Sequence, residues 1–160
     1  YRNIGYVGTS HDTANAATAR LDGFTKAVED GGGKVRRQLC LHDTASFYPG
    51  YYGTEQLLAG GQRAECIFFQ NDSMAFGGLQ YCARQGISVP DDMGIAGWGD
   101  LPVASVLGTR LTSMRVPHLK IGQKAAEILV GRLSDEPVQT VFDAGFQLIP
   151  GSTVKNTGNL

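Results

Sequence analysis

Gln70, Asn71 and Asp72 stand directly behind an unbroken apolar run, Cys66-Ile67-Phe68-Phe69, and ahead of a helical pattern carried by Met74, Gly78, Tyr81 and Cys82. A buried strand feeding a helix is expected there. In an open parallel sheet, ligands sit beyond the carboxyl ends of the strands, so these two amides and one carboxylate are placed to hold a small molecule by hydrogen bonds. Asp72 or Ser73 is expected to accept from the free N–H groups of the first helical turn, and Gly86 to end the last one. A second polar tip, Thr9, Ser10, His11 and Asp12, follows the apolar start of the chain.

Acid–base chemistry has two candidates, His11-Asp12 and His42-Asp43. Adjacent side chains in a loop rarely converge on one target. Both pairs are therefore expected to be solvated loop positions, with a ligand-lining place for His11 as the alternative. Gly31-Gly32-Gly33 closes one helical pattern and opens none, which makes it a helix stop rather than a phosphate cradle. The Gly-x-Ser-x-Gly elbow, the Gly-x-x-x-x-Gly-Lys-Ser/Thr loop and the dinucleotide glycine triplet are absent. No catalytic residue, metal site or cofactor is expected.

The elements that must position these tips alternate. Residues 3–8 read as a strand, with residues 9–12 as the loop at its end. A helix follows with Ala17, Leu21, Phe24 and Val28 on one face. Residues 34–41 form a second strand, and residues 42–50 an aromatic, polar loop. Pro49 opens a helix whose inner face includes Tyr52, Gln56 and Leu57. Residues 93–98 are a fourth strand, Pro102 to Leu107 a short helix, residues 111–116 an extended segment, and residues 145–149 a last strand. Pro117 begins a helix with Gly122, Ala126, Leu129 and Leu133 on one face. Strand and helix in strict alternation mean an α/β fold, a parallel sheet with helices on both faces.

Composition narrows the function classes. The 160 residues carry 14 Lys plus Arg against 15 Asp plus Glu, so no basic footprint for nucleic acid is offered by this chain. Cys40, Cys66 and Cys82 lack metal spacing and read as reduced thiols of a cytoplasmic protein. No apolar run reaches the roughly 18 residues of a membrane span. The sequence opens at Tyr1 on strand-like residues, which suggests a piece of something longer.

Four segments resemble one family, the lactose/galactose repressor family of bacterial transcription regulators. Arg20-Leu21-Asp22-Gly23-Phe24 is similar to its Arg-x-x-Gly-Phe/Tyr, and Asn71-Asp72-Ser73-Met74-Ala75-Phe76-Gly77 to its Asn-Asp-x-Met-Ala-x-Gly. Residues 89–100, Val-Pro-Asp-Asp-Met-Gly-Ile-Ala-Gly-Trp-Gly-Asp, resemble Val-Pro-Asp-Asp-Ile-x-Val-x-Gly-Phe-Asp-Asp. Leu111-Thr112-Ser113-Met114-Arg115 resembles Leu-Thr-Thr-Ile/Val-Arg. The matches keep order and spacing from Ile4 to about Pro150.

The resemblance implies a periplasmic-binding-protein type of fold with two lobes around an effector cleft. Residues 1–116 and 145–154 would form the C-terminal lobe, residues 117–134 a helix packed on the other lobe, and residues 155–160 a tail. DNA would be reached only through an upstream helix-turn-helix outside this chain. Thr112, Ser113 and Arg115 would belong to the hinge, and Tyr51, Tyr52, Phe76 and Leu107 to the interface of a homodimer. The family positions matched by Arg20, Asn71 and the residue now Gly99 hold sugar hydroxyls or a purine edge; here the third has lost its carboxylate. An arginine without its anion favours a ligand that brings a negative charge. The departure at Gly99 and the ending at residues 143–151 are similar to gluconate-responsive repressors, so the expected effector is gluconate or a related sugar acid. Arg20 would anchor the carboxylate. Asn71, Thr9, Ser10 and His11 would take hydroxyls, Phe47 or Tyr48 would wall the cleft, and Gly99 and Asp100 would line its rim. The alternative pairs Arg20 with Asp22 or Asp100 and leaves a neutral ligand. Rival functions are an exported sugar-binding protein of the same fold and a small α/β enzyme using His11, Asp43 or Asp100.

Overall fold

The computed structural model describes residues 1–10, 16–41, 45–59, 64–102 and 108–156. Its elements are β1 (Asn3–Ser10), α1 (Ala16–Asp30), β2 (Lys34–Leu41), α2 (Phe47–Ala59), β3 (Cys66–Phe69), α3 (Asp72–Gln85), β4 (Gly94–Trp98), β5 (Thr112–Arg115), α4 (His118–Leu133) and β6 (Gln147–Ile149). The strands lie in the order β2-β1-β3-β4-β5-β6. Pairing is parallel from β2 through β5, and β6 closes the edge antiparallel to β5.

Alternation along the strands sorts the helices onto the two faces. Tyr6 and Phe68 stand in register on one face and meet Phe24 of α1, with Phe24 stacked on Phe68 at 4.7 Å. Their chain neighbours Val7, Ile67 and Phe69 face the other way, into a core shared with Leu57 of α2 and Met74, Ala75 and Cys82 of α3. Val7, Ile67, Phe69, Met74 and Ile95 are fully buried, and each such side chain contributes about 1.5–3 kcal/mol.

Several boundaries differ from expectation. β1 runs through Ser10, so Thr9 and Ser10 end the strand rather than sit in a loop. α2 starts at Phe47, which places Phe47 and Tyr48 in its first turn. Its buried strip is Pro49, Gly50, Gly53, Thr54 and Leu57; Tyr52 is 53% exposed and Gln56 is exposed as well. The strip is small because α2 lies against α3 backbone to backbone. A Cβ added to Gly50 would meet Met74 O at 2.1 Å, and one added to Gly77 would meet Phe47 O at 2.1 Å. Most of the helix expected between Pro102 and Leu107 falls outside the described residues.

α4 follows Pro117 as expected, yet its one buried residue is Gly131. Leu119, Leu129, Val130 and Leu133 are each more than 60% exposed. Among the described residues no helix is long and apolar enough to cross a membrane.

Candidate functional site at the strand tips

Arg20, on the first turns of α1, reaches across to the carboxyl ends of two strands. Its Nη1 donates to the backbone carbonyl of Gln70 at 2.9 Å, and its guanidinium carbon lies 4.3 Å from the centre of the Trp98 ring at the end of β4. The ion pairs among the described residues are Lys26–Asp30, Arg115–Asp100 and Lys124–Glu127. Neither Asp22 nor Asp100 therefore serves as its counter-ion. Arg20 Nε is buried with no hydrogen-bond partner among the described residues. Burial lowers the guanidinium's pKa, and Tyr6 acts against that fall. A cation on an aromatic face gains about 0.5–2 kcal/mol, but a ring supplies no acceptor for the remaining N–H groups.

The polar trio behind β3 divides its duties. Gln70 Oε1 accepts from Thr9 N at 2.7 Å and Thr9 Oγ1 at 3.1 Å, so it braces the tip of β1. Asn71, rather than Asp72 or Ser73, caps α3: its Oδ1 accepts from Met74 N at 2.9 Å. Its Nδ2 donates to Ala45 O at 2.8 Å, which leaves the second amide hydrogen without a partner among the described residues. Gly86 ends the same helix in the left-handed conformation, as expected.

Asp72 is fully buried. Its Oδ1 accepts from Ser113 Oγ at 2.7 Å and its Oδ2 from Leu101 N at 2.7 Å. Desolvation raises its pKa above the usual carboxylate range, against the bonds from Ser113 and Leu101, while nearby Asp100 adds to the rise. A folded-state value above the unfolded one means that this group's contribution to stability is complete below its ordinary 3.8 and is lost as pH climbs through the folded-state value. Urea unfolding across that window is expected to show stability falling with pH in the wild type, and a shallower fall in Asp72→Asn.

The turn after β4 is unusual in backbone. Gly99 has φ 127 and Asp100 φ 51, both in the left-handed region. A side chain at position 99 would be strained, which is a backbone reason for the glycine beside the electrostatic one. Asp100 N donates to Ser113 Oγ at 3.0 Å, and its carboxylate is held by Arg115 at 2.6 Å. Asp100, expected at the rim, is thus tied to Ser113 and Arg115, expected at the hinge; Thr112 N donates to Thr153 Oγ1.

Other expected site residues lie elsewhere. Phe47 and Tyr48 line grooves on the α2–α3 surface, one shared with Phe76 and Leu79, the other with Tyr51, Tyr52 and Arg84. His11 and Leu107 fall outside the described residues, as do Asp12, His42 and Asp43, and nothing is described of the Ser10 side chain. Cys66 and Cys82 are buried free thiols, their pKa values pushed up by burial to about 12 and about 11, which makes them unreactive. Among the described residues no group of three or more His, Cys, Asp or Glu is arranged to hold a metal. Trp98 was the residue not read from the sequence; the signal was an aromatic ring one residue before the altered Gly99.

The tips of this mostly parallel sheet thus hold a half-buried arginine with no ion-pair partner among the described residues, at the end of the sheet where open α/β folds take their ligands. The chain belongs to the periplasmic binding protein-like domain family, whose pattern it matches over residues 1–154. It is 30% identical over 155 residues to the HTH-type transcriptional regulator GntR of Escherichia coli K12, covering 96% of this chain and 46% of the relative. Identity to GntR of Pseudomonas aeruginosa PAO1 is 31% over 150 residues, 92% of this chain and 43% of that protein. The crystal structure of the transcription regulator GntR from Chromobacterium violaceum superposes with a TM-score of 0.86 at 29% identity, over 95% of this chain and 56% of that one. The chain therefore spans about half the length of the curated relatives it matches. These relatives are transcription regulators by name, not enzymes.

Proposed function

We propose that this chain is one lobe of the effector-sensing domain of a bacterial transcriptional repressor, and that its effector is a small sugar acid of the gluconate type. The observation that carries the proposal is Arg20: a partly buried guanidinium at the strand tips, stacked on Trp98, with an orphaned Nε and no carboxylate partner among the described residues. A ligand carboxylate supplies the missing charge through bidentate, charge-assisted bonds. The second amide hydrogen of Asn71 and the Thr9 tip take hydroxyls. The effector bridges two lobes, and its differential affinity for the closed arrangement repositions DNA-binding heads carried elsewhere in the full-length protein. The apolar face of α4 packs on the second lobe, and the aromatic face of α2 and α3, with Tyr51, Tyr52 and Phe76, meets a second subunit in a two-fold dimer.

Isothermal calorimetry on the full-length protein tests the effector. Gluconate is expected to bind and glucose to bind at least about tenfold more weakly, because glucose leaves the guanidinium without an anion. Equal or stronger binding of glucose would remove the sugar-acid reading.

A further inference from the structure

The buried carboxylate of Asp72 has no cationic partner among the described ion pairs, yet it lies where three segments meet. It opens α3, accepts from the backbone of Leu101 and accepts from the hydroxyl of Ser113 on β5. Ser113 Oγ in turn accepts from Asp100 N. Two consecutive amides of the turn that follows Trp98 are thus claimed by one hydroxyl and one carboxylate. Gly99 N is tied to β5 as well, donating to Met114 O at 2.9 Å. Room for the carboxylate is made by Gly97, where an added Cβ would lie 2.3 Å from Asp72 Oδ1. A left-handed turn at Gly99 and Asp100 is costly on its own and persists only when its surroundings over-determine it.

We propose that Asp72 is a positioning residue: it clamps residues 99–101 to β5 and so holds the Trp98 ring in place against Arg20. The clamp is internal to this lobe and rests on the effector reading only through the last measurement below. The N-terminal end of α3 and the two donors make an anion there tolerable, while its full burial takes it out of water at a cost. A group retained for position at the expense of stability should reveal itself when replaced by a neutral isostere.

Trp98 is the single tryptophan of the 160-residue chain and reports on the clamp directly. In Asp72→Asn, acrylamide quenching of Trp98 is expected to rise about threefold and exchange of the Leu101 amide to quicken about tenfold, while the melting temperature at neutral pH stays level or rises. Ser113→Ala is expected to loosen the same two probes, and Ser113→Thr, which keeps the hydroxyl, to leave them as in the wild type. Wild-type behaviour of Trp98 and Leu101 in Asp72→Asn overturns the proposal, as does loosening that only tracks a lower melting temperature. In the full-length protein, Asp72→Asn is expected to weaken gluconate binding about tenfold through loss of preorganisation; unchanged affinity counts against the clamp. A wild type that binds no gluconate removes the sugar-acid reading alone, since the Trp98 and Leu101 probes judge the clamp without any ligand.

Discussion

Arg20→Gln is expected to lower gluconate affinity by about 100-fold or more, the largest functional effect of any single substitution in this chain. A bidentate pair between guanidinium and carboxylate comprises two charge-assisted hydrogen bonds, each contributing about 1.5–3 kcal/mol when desolvated, and about 1.4 kcal/mol is a factor of ten in affinity. Gln keeps a donor for the Gln70 carbonyl but carries no charge. Arg20→Lys keeps the charge and loses the planar fork and its stack on Trp98, so an intermediate loss is expected. Stability of Arg20→Gln should stay within about 1 kcal/mol of wild type, because the lost stacking and the lost hydrogen bond are offset by relief of a desolvated cation. Calorimetry and urea unfolding on the same preparations separate the two effects. Wild-type affinity in Arg20→Gln would show that the guanidinium does not meet the effector.

Gly77→Ala is expected to destabilise the fold by about 3 kcal/mol, at the upper end of the usual range for overpacking. The added Cβ would sit 2.1 Å from Phe47 O and 2.6 Å from Tyr51 N, both backbone atoms of α2, so the two helices must part rather than a side chain turn aside. With total stabilities of about 5–15 kcal/mol, that is a large fraction of the whole. Gly23→Ala makes the control. Nothing lies within 4 Å of a Cβ there, and the site is an exposed position inside α1. Its stability is expected to rise by about 0.5–1 kcal/mol from helix propensity alone. Denaturant melts of the two variants give opposite signs; a neutral Gly77→Ala would mean that α2 and α3 have room to separate.

The alternating elements were legible because the apolar runs are unmixed. Cys66 to Phe69 is buried on both faces of the sheet apart from a half-exposed Phe68, and such a strand announces itself as a continuous apolar run. α2 was harder to read. Its large residues, Tyr48, Tyr52 and Gln56, point outward, and its inner strip is proline, glycine, threonine and one leucine. A search for big apolar residues at helical spacing picks the wrong face when close backbone approach, not side-chain volume, makes the contact. The N-cap of α3 was ambiguous for a related reason. Asn71, Asp72 and Ser73 are all good caps, and the choice falls to Asn71 because Asp72 is drawn to Ser113, 41 residues further along.

The sequence by itself determined the alternation of strands and helices, the polar trio behind β3 and the helix stop at Gly86, because those depend on local periodicity and on residue type. Only the tertiary structure decided that Trp98 carries Arg20, that Asp100 belongs to Arg115, and that Asp72 is buried inside the lobe instead of lining its surface. Each of these pairings joins residues at least 15 positions apart. Such partners are selected by which strand tips the sheet order brings side by side, a choice that spacing along the chain does not record.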